Sequence, residues 1–272
     1  MSEPVLPVAF LSDYGLVDEF VGVVHGVVAR IAPEVRILDI THQIPRGNVR
    51  AGALALLRAV QYLPPGVALA VVDPGVGTER RGIAASTPWG YFVGPDNGLL
   101  APAVAMVGGA ERVVSLEDPR FRLPADGATF DGRDVFAPAA AVLAAAQASV
   151  DDLGPEVEAE SMMPLLLPLA EVGDDLVRGE VWWIDGYGNA ETNVAPDDLR
   201  ALGLEVGDVL AVEIGPTVHE MEWRIGYGES AGPGVVNVDS YGMVAVAVPG
   251  GRADEAFGLS TGMSIAFARV AG

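Results

Sequence analysis

Six apolar residues, Val67-Ala-Leu-Ala-Val-Val72, run without polar interruption into Asp73-Pro-Gly-Val-Gly77. A strand with one wet face alternates in polarity; a strand without that alternation is buried on both sides, as in a parallel sheet covered by helices. The neighbouring segments fit such a sheet. Val8–Ser12 and Arg36–Ile40 read as strands with helical spacing over 22–31 between them, and Ala51–Leu63 is a second helix-like run. Tyr91–Val93 and Arg112–Val114 add strands, while Leu99–Val107 and the alanine-rich Ala137–Ala148 add helices. This alternation predicts an α/β domain with a mostly parallel central sheet over residues 1–160. From Glu156 to Asp175 the pattern breaks into prolines and acids, so a linker is expected over 161–176. Beyond it, short strand-like runs at 177–183, 209–214, 218–225, 235–238, 243–248 and 264–269 are separated by glycine and proline. That pattern predicts a small all-β, barrel-like domain over 177–272.

Charge and cysteine usage narrow the chemistry. The net charge is −21 and all 16 basic residues are arginine, a field that repels phosphate and argues against nucleic acid or an anionic membrane as partner. Without cysteine there is no disulfide, thiolate nucleophile or Cys-ligated metal. The Met-Ser-Glu-Pro start has no basic, leader-like region, and no apolar run reaches the roughly 18 residues that cross a bilayer, so a cytoplasmic protein is expected.

Polar, glycine-flanked motifs follow the strands. Ser12-Asp13-Tyr14-Gly15 ends the first strand, where open α/β sheets place ligands and where an aspartate can accept from two ribose hydroxyls. Asp73 and Arg80 stand seven positions apart in Asp73-Pro-Gly-Val-Gly-Thr-Glu-Arg-Arg81, a loop that lacks the Gly-Lys-Ser/Thr of a phosphate cradle. Gly94-Pro-Asp-Asn-Gly98 and Thr129-Phe-Asp-Gly-Arg-Asp-Val-Phe-Ala-Pro138 complete a set of four, which together describe a polar pocket although each alone reads equally as a turn. In the second domain, Ile184-Asp-Gly-Tyr-Gly-Asn189 offers an acid, a ring that can stack on a purine and an amide that can read its edge; it is also an ordinary hairpin turn. His25 and His42 read as structural histidines, and no metal site is expected.

Taken with Asp39-Ile-Thr-His42, Phe92-Val-Gly-Pro-Asp-Asn-Gly-Leu-Leu100 and Thr192-Asn193, these motifs match in order and spacing, and the chain resembles the S-adenosylmethionine (SAM) hydroxide adenosyltransferases. That family also contains SAM-dependent fluorinases and chlorinases. The resemblance implies hydrolysis of SAM to adenosine and L-methionine by attack of water or hydroxide at C5′, with SAM as substrate and no cofactor. It implies a homotrimer whose active sites lie between the amino-terminal domain of one subunit and the barrel of the next. By resemblance, Asp13 holds the ribose hydroxyls, Asp185 lies near the methionine amine, and Asn189 reads adenine with Tyr187 and Tyr227 beside the base. Ser240 matches a serine on the methionine carboxylate, and Gly250 and Gly251 present backbone to the adenine amino group. Asp73 and Arg80 match two members of an Asp, Arg and His trio that holds the nucleophile.

The third member departs from the pattern. Where the family usually reads Phe-His-Gly-Arg-Asp, this chain has Phe130-Asp131-Gly132-Arg133-Asp134. A carboxylate there can accept a proton from water or pair with Arg80, and it repels halide. Retention of Asp73 also favours water over halide. The alternatives are a SAM-dependent halogenase and a non-catalytic SAM or adenosine binder in which Asp131 has disabled hydrolysis. Tyr241 also replaces the arginine that halogenase members carry beside the serine.

Overall fold

The structure, a computed structural model, describes residues 4–228 and 232–270, so the Met-Ser-Glu start lies outside the described residues. The chain divides into two compact units, Met1–Leu165 and Leu166–Gly272.

The first unit is built on a six-stranded sheet. Its strands are β1 (Val8–Ser12), β2 (Ile37–Thr41), β3 (Val67–Val71), β4 (Gly82–Thr87), β5 (Gly90–Pro95) and β6 (Arg112–Ser115), in the order β2-β1-β3-β5-β4-β6. The pairings from β2 through β5 are parallel, and β4 is antiparallel to both β5 and β6. All five residues of β1 and of β3 are buried, as their unbroken apolar runs require. Helix α1 (Phe20–Ile31) buries Val24, Val27 and Val28, one stripe at helical spacing. Helix α2 (Val49–Val60) is capped by Asn48, whose Oδ1 accepts from Ala51 N at 3.0 Å. After the short α3 (Ala101–Met106), one wide π-helical turn over Gly132–Phe136 leads into α4 (Ala137–Ala144), every residue of which is buried.

Two details depart from the sequence expectation. Strand β4, Gly-Ile-Ala-Ala-Ser-Thr, carries weak strand propensity and gives no periodic signal; ladders on both of its edges hold it. Helix α4 ends at Ala144 rather than Ala148, and Ala146 takes a left-handed φ of 51°.

The second unit is a closed barrel. It contains β7 (Glu171–Val172), β8 (Leu176–Ile184), β9 (Ala190–Thr192), β10 (Val209–Ile214), β11 (Thr217–Arg224), β12 (Val235–Val238), β13 (Val244–Ala247) and β14 (Ser264–Arg269). Seven of them follow the order β14-β10-β11-β12-β13-β9-β8, and pairing of β14 with β8 closes the ring. Leu210, Val212 and Ile214 alternate inward along β10 onto a core that holds Trp223 and Phe267. β7 pairs with β8, so residues 171–172 of the expected linker belong to the barrel sheet. Helices α5 (Pro196–Ala201) and α6 (Ala253–Phe257) are too short to register as periodicity in sequence.

Candidate functional site

Three chain segments converge beyond the carboxyl ends of β1 and β3. Asp13 and Tyr14 follow β1, Asp73 follows β3, and Phe130–Arg133 open the π-helical turn; together they line a cavity of ≈ 400 Å³. Wide helical turns of this kind concentrate at functional sites, and this one places Asp131 at its first corner. Asp13 is held by Gly47, whose N–H donates to Oδ2 at 2.7 Å.

Arg80 joins the two other acids. Its Nε donates to Asp73 Oδ1 at 2.9 Å and its Nη2 to Asp73 Oδ2, while Nη2 also donates to Asp131 Oδ2 at 2.6 Å. The three side chains are mostly withdrawn from water, at 13%, 6% and 16% exposure for Arg80, Asp73 and Asp131, which strengthens each contact. The guanidinium also lies over the Phe136 ring at 5.2 Å. Burial alone lowers the pKa of Arg80, but the hydrogen bonds and charges of Asp73 and Asp131 outweigh it and raise the group above the ordinary arginine value. Arg80 is thus a fixed cation between two carboxylates.

The remaining wall is aromatic. Tyr14, Phe20 and Phe130 pack mutually, with centroids 5.1–5.8 Å apart. The Tyr14 phenol is pushed far above the ordinary tyrosine range, first by burial and then by the charges of Asp13, Asp73 and Asp131, with Arg80 opposing. It remains a neutral hydroxyl. Sequence reasoning left out Tyr14 and Phe20; the signal that could have found them is the aromatic residue in or beside each acidic motif.

A second cavity, of ≈ 620 Å³, lies in the barrel unit. Its lining includes Asp185, Tyr187, Asn189, Tyr227, Ser240, Gly250 and Gly251, so all seven barrel residues singled out from sequence come together. Two turns of the same construction frame it. In the first, Asp185 Oδ1 accepts from Tyr187 N at 2.8 Å and Asn189 N at 2.9 Å; in the second, Asp239 Oδ1 accepts from Tyr241 N at 2.7 Å and Met243 N at 2.9 Å. Gly188 and Gly242 supply the left-handed position of each, with φ of 85° and 86°. Asp185 Oδ2 also accepts from Asn189 Nδ2 at 2.8 Å, which fixes the amide and directs its remaining polar valences elsewhere. Asp239 and Arg252 were missed in sequence. Arg252 Nη1 donates to Gly186 O at 3.1 Å and ties the 250–254 segment to the first turn; the repeated Asp-X-Tyr-Gly is the signal for Asp239.

One of the four amino-terminal motifs does not line the cavity. Asn97 Nδ2 donates to Val72 O at 2.9 Å and Arg81 pairs with Asp96 at 2.6 Å, so the 94–98 loop braces the backbone just before Asp73.

Known proteins match both units of the chain. Residues 8–154 match the SAM hydroxide adenosyltransferase N-terminal domain and residues 179–266 the corresponding C-terminal domain. An (R)-S-adenosyl-L-methionine hydrolase of Salinispora tropica is 46% identical over 94% of this chain and 95% of its own. A fluorinase of Actinopolyspora mzabensis is 26% identical over 98% of both chains. A crystal structure of a conserved protein from Thermotoga maritima superposes with a TM-score of 0.90 at 33% identity, covering 96% of this chain and all of that one.

Proposed function

The chain belongs to the SAM hydroxide adenosyltransferase family, and from that membership we propose that it is a hydrolase converting SAM and water to adenosine and L-methionine. The observation that carries the choice of water is the guanidinium of Arg80 held between Asp73 and Asp131 beside the first cavity. Two carboxylates can accept hydrogen bonds from a water molecule and repel a halide anion. The hydrolase relative is also much closer in sequence than the fluorinase.

In this reading a water oxygen attacks C5′ in line with sulfur. The C5′–S bond breaks with its electron pair going to sulfur, which leaves as the neutral thioether of methionine, and the water proton passes to Asp131. Because the sulfonium is already a good leaving group, the protein contributes position and desolvation rather than a cofactor or metal. Asp73 and Arg80 hold the nucleophile, and Asp13 holds the ribose. The aromatic wall of Tyr14, Phe20 and Phe130 limits access of bulk water. On the barrel, Asn189 with Tyr187, Tyr227, Gly250 and Gly251 takes the base, and Asp185 and Ser240 take the amino-acid end. The homotrimer with active sites shared between neighbouring subunits rests on family membership. Among the described residues no helix is long and apolar enough to cross a membrane. We assign the enzyme to the cytoplasm because SAM is an intracellular metabolite.

The hydrolase relative is named for the (R) configuration at sulfur, and we extend that preference to this chain. Purified protein incubated with separated (R) and (S) epimers in halide-free buffer should form adenosine and methionine, faster from (R). Asp73→Ala should abolish product. A 5′-halogenated adenosine formed only when halide is added would replace the hydrolase with a halogenase, and tight binding of unreacted SAM would make the chain a binder.

A further inference from the structure

A cluster outside both cavities has the makings of a metal site. His25 on α1 and His42 just after β2 each bring Nε2 to the same oxygen, Asp39 Oδ1, at 2.9 and 3.0 Å. The three donor atoms lie within 4.8 Å of one another. In a tetrahedral zinc site with bonds near 2.0–2.1 Å, ligand atoms are separated by about 3.3 Å. The two contacts to Asp39 Oδ1 then lengthen by a few tenths of an ångström, and the two Nε2 atoms, within 4.8 Å of each other, settle to the same spacing.

The surroundings fit ligation. His42 is 5% exposed, and its other ring nitrogen, Nδ1, lies 2.8 Å from Ser12 Oγ. That is the outer-shell hydrogen bond that leaves Nε2 unprotonated and aimed at a metal when Nδ1 carries the proton. Phe10, fully buried, packs beside both imidazoles, with centroids 4.6 Å from His42 and 6.1 Å from His25, and limits their rotation. The outer side is open, with side-chain exposures of 35% for His25 and 44% for Asp39, giving a cation an entry path and room for water as a further ligand. Two imidazoles and one carboxylate select a late first-row divalent ion over Mg²⁺ or Ca²⁺, which take all-oxygen sites. The net charge of −21 adds a favourable field.

We propose that His25, Asp39 and His42 form a structural site for a divalent transition-metal ion of the Zn²⁺ class. The ion would clamp α1 to the end of β2 and, through His42 and Ser12, steady the strand end from which Asp13 projects. The site lies apart from the carboxylates and arginine of the first cavity and plays no part in the reaction proposed above.

The chain has no cysteine and three histidines, the third being His219 in the barrel unit, which serves as the control position; among the described residues His25, Asp39 and His42 are the group of such ligands found together. Untagged full-length protein stripped with EDTA is titrated with Zn²⁺ by calorimetry, and a Co²⁺-loaded sample is read by its d–d absorption. One Zn²⁺ per chain is expected, with a Co²⁺ spectrum showing nitrogen ligation and a rise in unfolding temperature on zinc addition. His25→Ala and Asp39→Asn, both at partly exposed positions that keep the fold, should weaken Zn²⁺ by at least ~10-fold and abolish the thermal shift. Ser12→Ala, which keeps all three ligands, should weaken it by roughly 10-fold, and His219→Ala should leave it unchanged. Absence of zinc binding by folded wild type, or binding unaltered in both His25→Ala and Asp39→Asn, overturns the proposal.

Discussion

Arg80 Nη2 donates to Asp131 Oδ2 at 2.6 Å while the same guanidinium grips Asp73, so the residue that departs from the family pattern makes the Arg80 pairing that a carboxylate at this position allows. The pairing gives Asp131 a positional role that a turn residue would not have. Replacement by asparagine keeps an oxygen that can accept from Arg80 but removes the negative charge and the proton-accepting capacity. Asp131→Asn should therefore lower kcat by about 10²-fold, in the range of a lost general base, with KM changed much less. Steady-state kinetics of adenosine release would check this; an unchanged kcat would leave Asp131 with positioning alone.

Arg80 makes three contacts in a fixed plane, and lysine cannot reproduce them. An ammonium can reach one carboxylate but not span both in the same geometry. Arg80→Lys should reduce kcat by roughly 10²-fold, the size of effect seen when one preorganised polar contact is lost. Activity near wild type would show that charge alone suffices.

Gly132 sits against Tyr14. A Cβ there would collide with the Tyr14 hydroxyl and stand 3.1 Å from its Cζ, and the ring cannot swing away because Phe20 and Phe130 hold it. Gly132→Ala should cost about 1–3 kcal/mol by overpacking. Adding Tyr14→Phe removes the oxygen but not Cζ, so the double variant should recover part of the loss. Denaturant titration of the four proteins in this cycle measures the coupling.

The raised phenol of Tyr14 has a defined consequence at alkaline pH. In the unfolded chain the group titrates near ~10, whereas in the folded chain it keeps its proton well beyond that. Above about pH 10 the unfolded state has therefore lost a proton that the native state retains, and stability falls as pH rises, by up to ~1.4 kcal/mol per pH unit from this group. Tyr14→Phe should make the decline shallower. Unfolding midpoints measured on both sides of pH 10 decide it.

Asp185 accepts from two backbone N–H groups and from the Asn189 side chain, so its loss should disturb the turn before it disturbs chemistry. Asp185→Ala should raise KM for SAM by about 10-fold or more with a smaller change in kcat, and lower barrel stability by ~1–2 kcal/mol. A fall in kcat at constant KM would contradict a binding role.

Much of this was legible in the chain. Unbroken apolar runs marked β1 and β3, and the acidic motifs that follow them are the residues found at the cavity. The seven barrel residues inferred by resemblance line one cavity: two Asp-X-Tyr-Gly turns bring Asp185, Tyr187 and Ser240, Asn189 follows the first turn, Tyr227 follows β11, and Gly250 and Gly251 follow β13. Strand β4 was illegible because alanine and serine carry no pattern, and α5 and α6 because five or six residues complete too few turns to repeat. The 94–98 loop looked like a pocket wall because a glycine-flanked turn has the same composition whether it faces a ligand or braces a neighbour.

The sequence by itself determined the succession of an α/β unit and a barrel, and which residues carry charge, amide and ring, since periodicity and residue type are local properties. Only the tertiary structure decided that Arg80, while holding Asp73, reaches Asp131 across 51 positions, and that His25 and His42 meet on one oxygen of Asp39. Those encounters depend on sheet register and helix packing, and no local pattern encodes which side chains a folded chain brings within hydrogen-bonding distance.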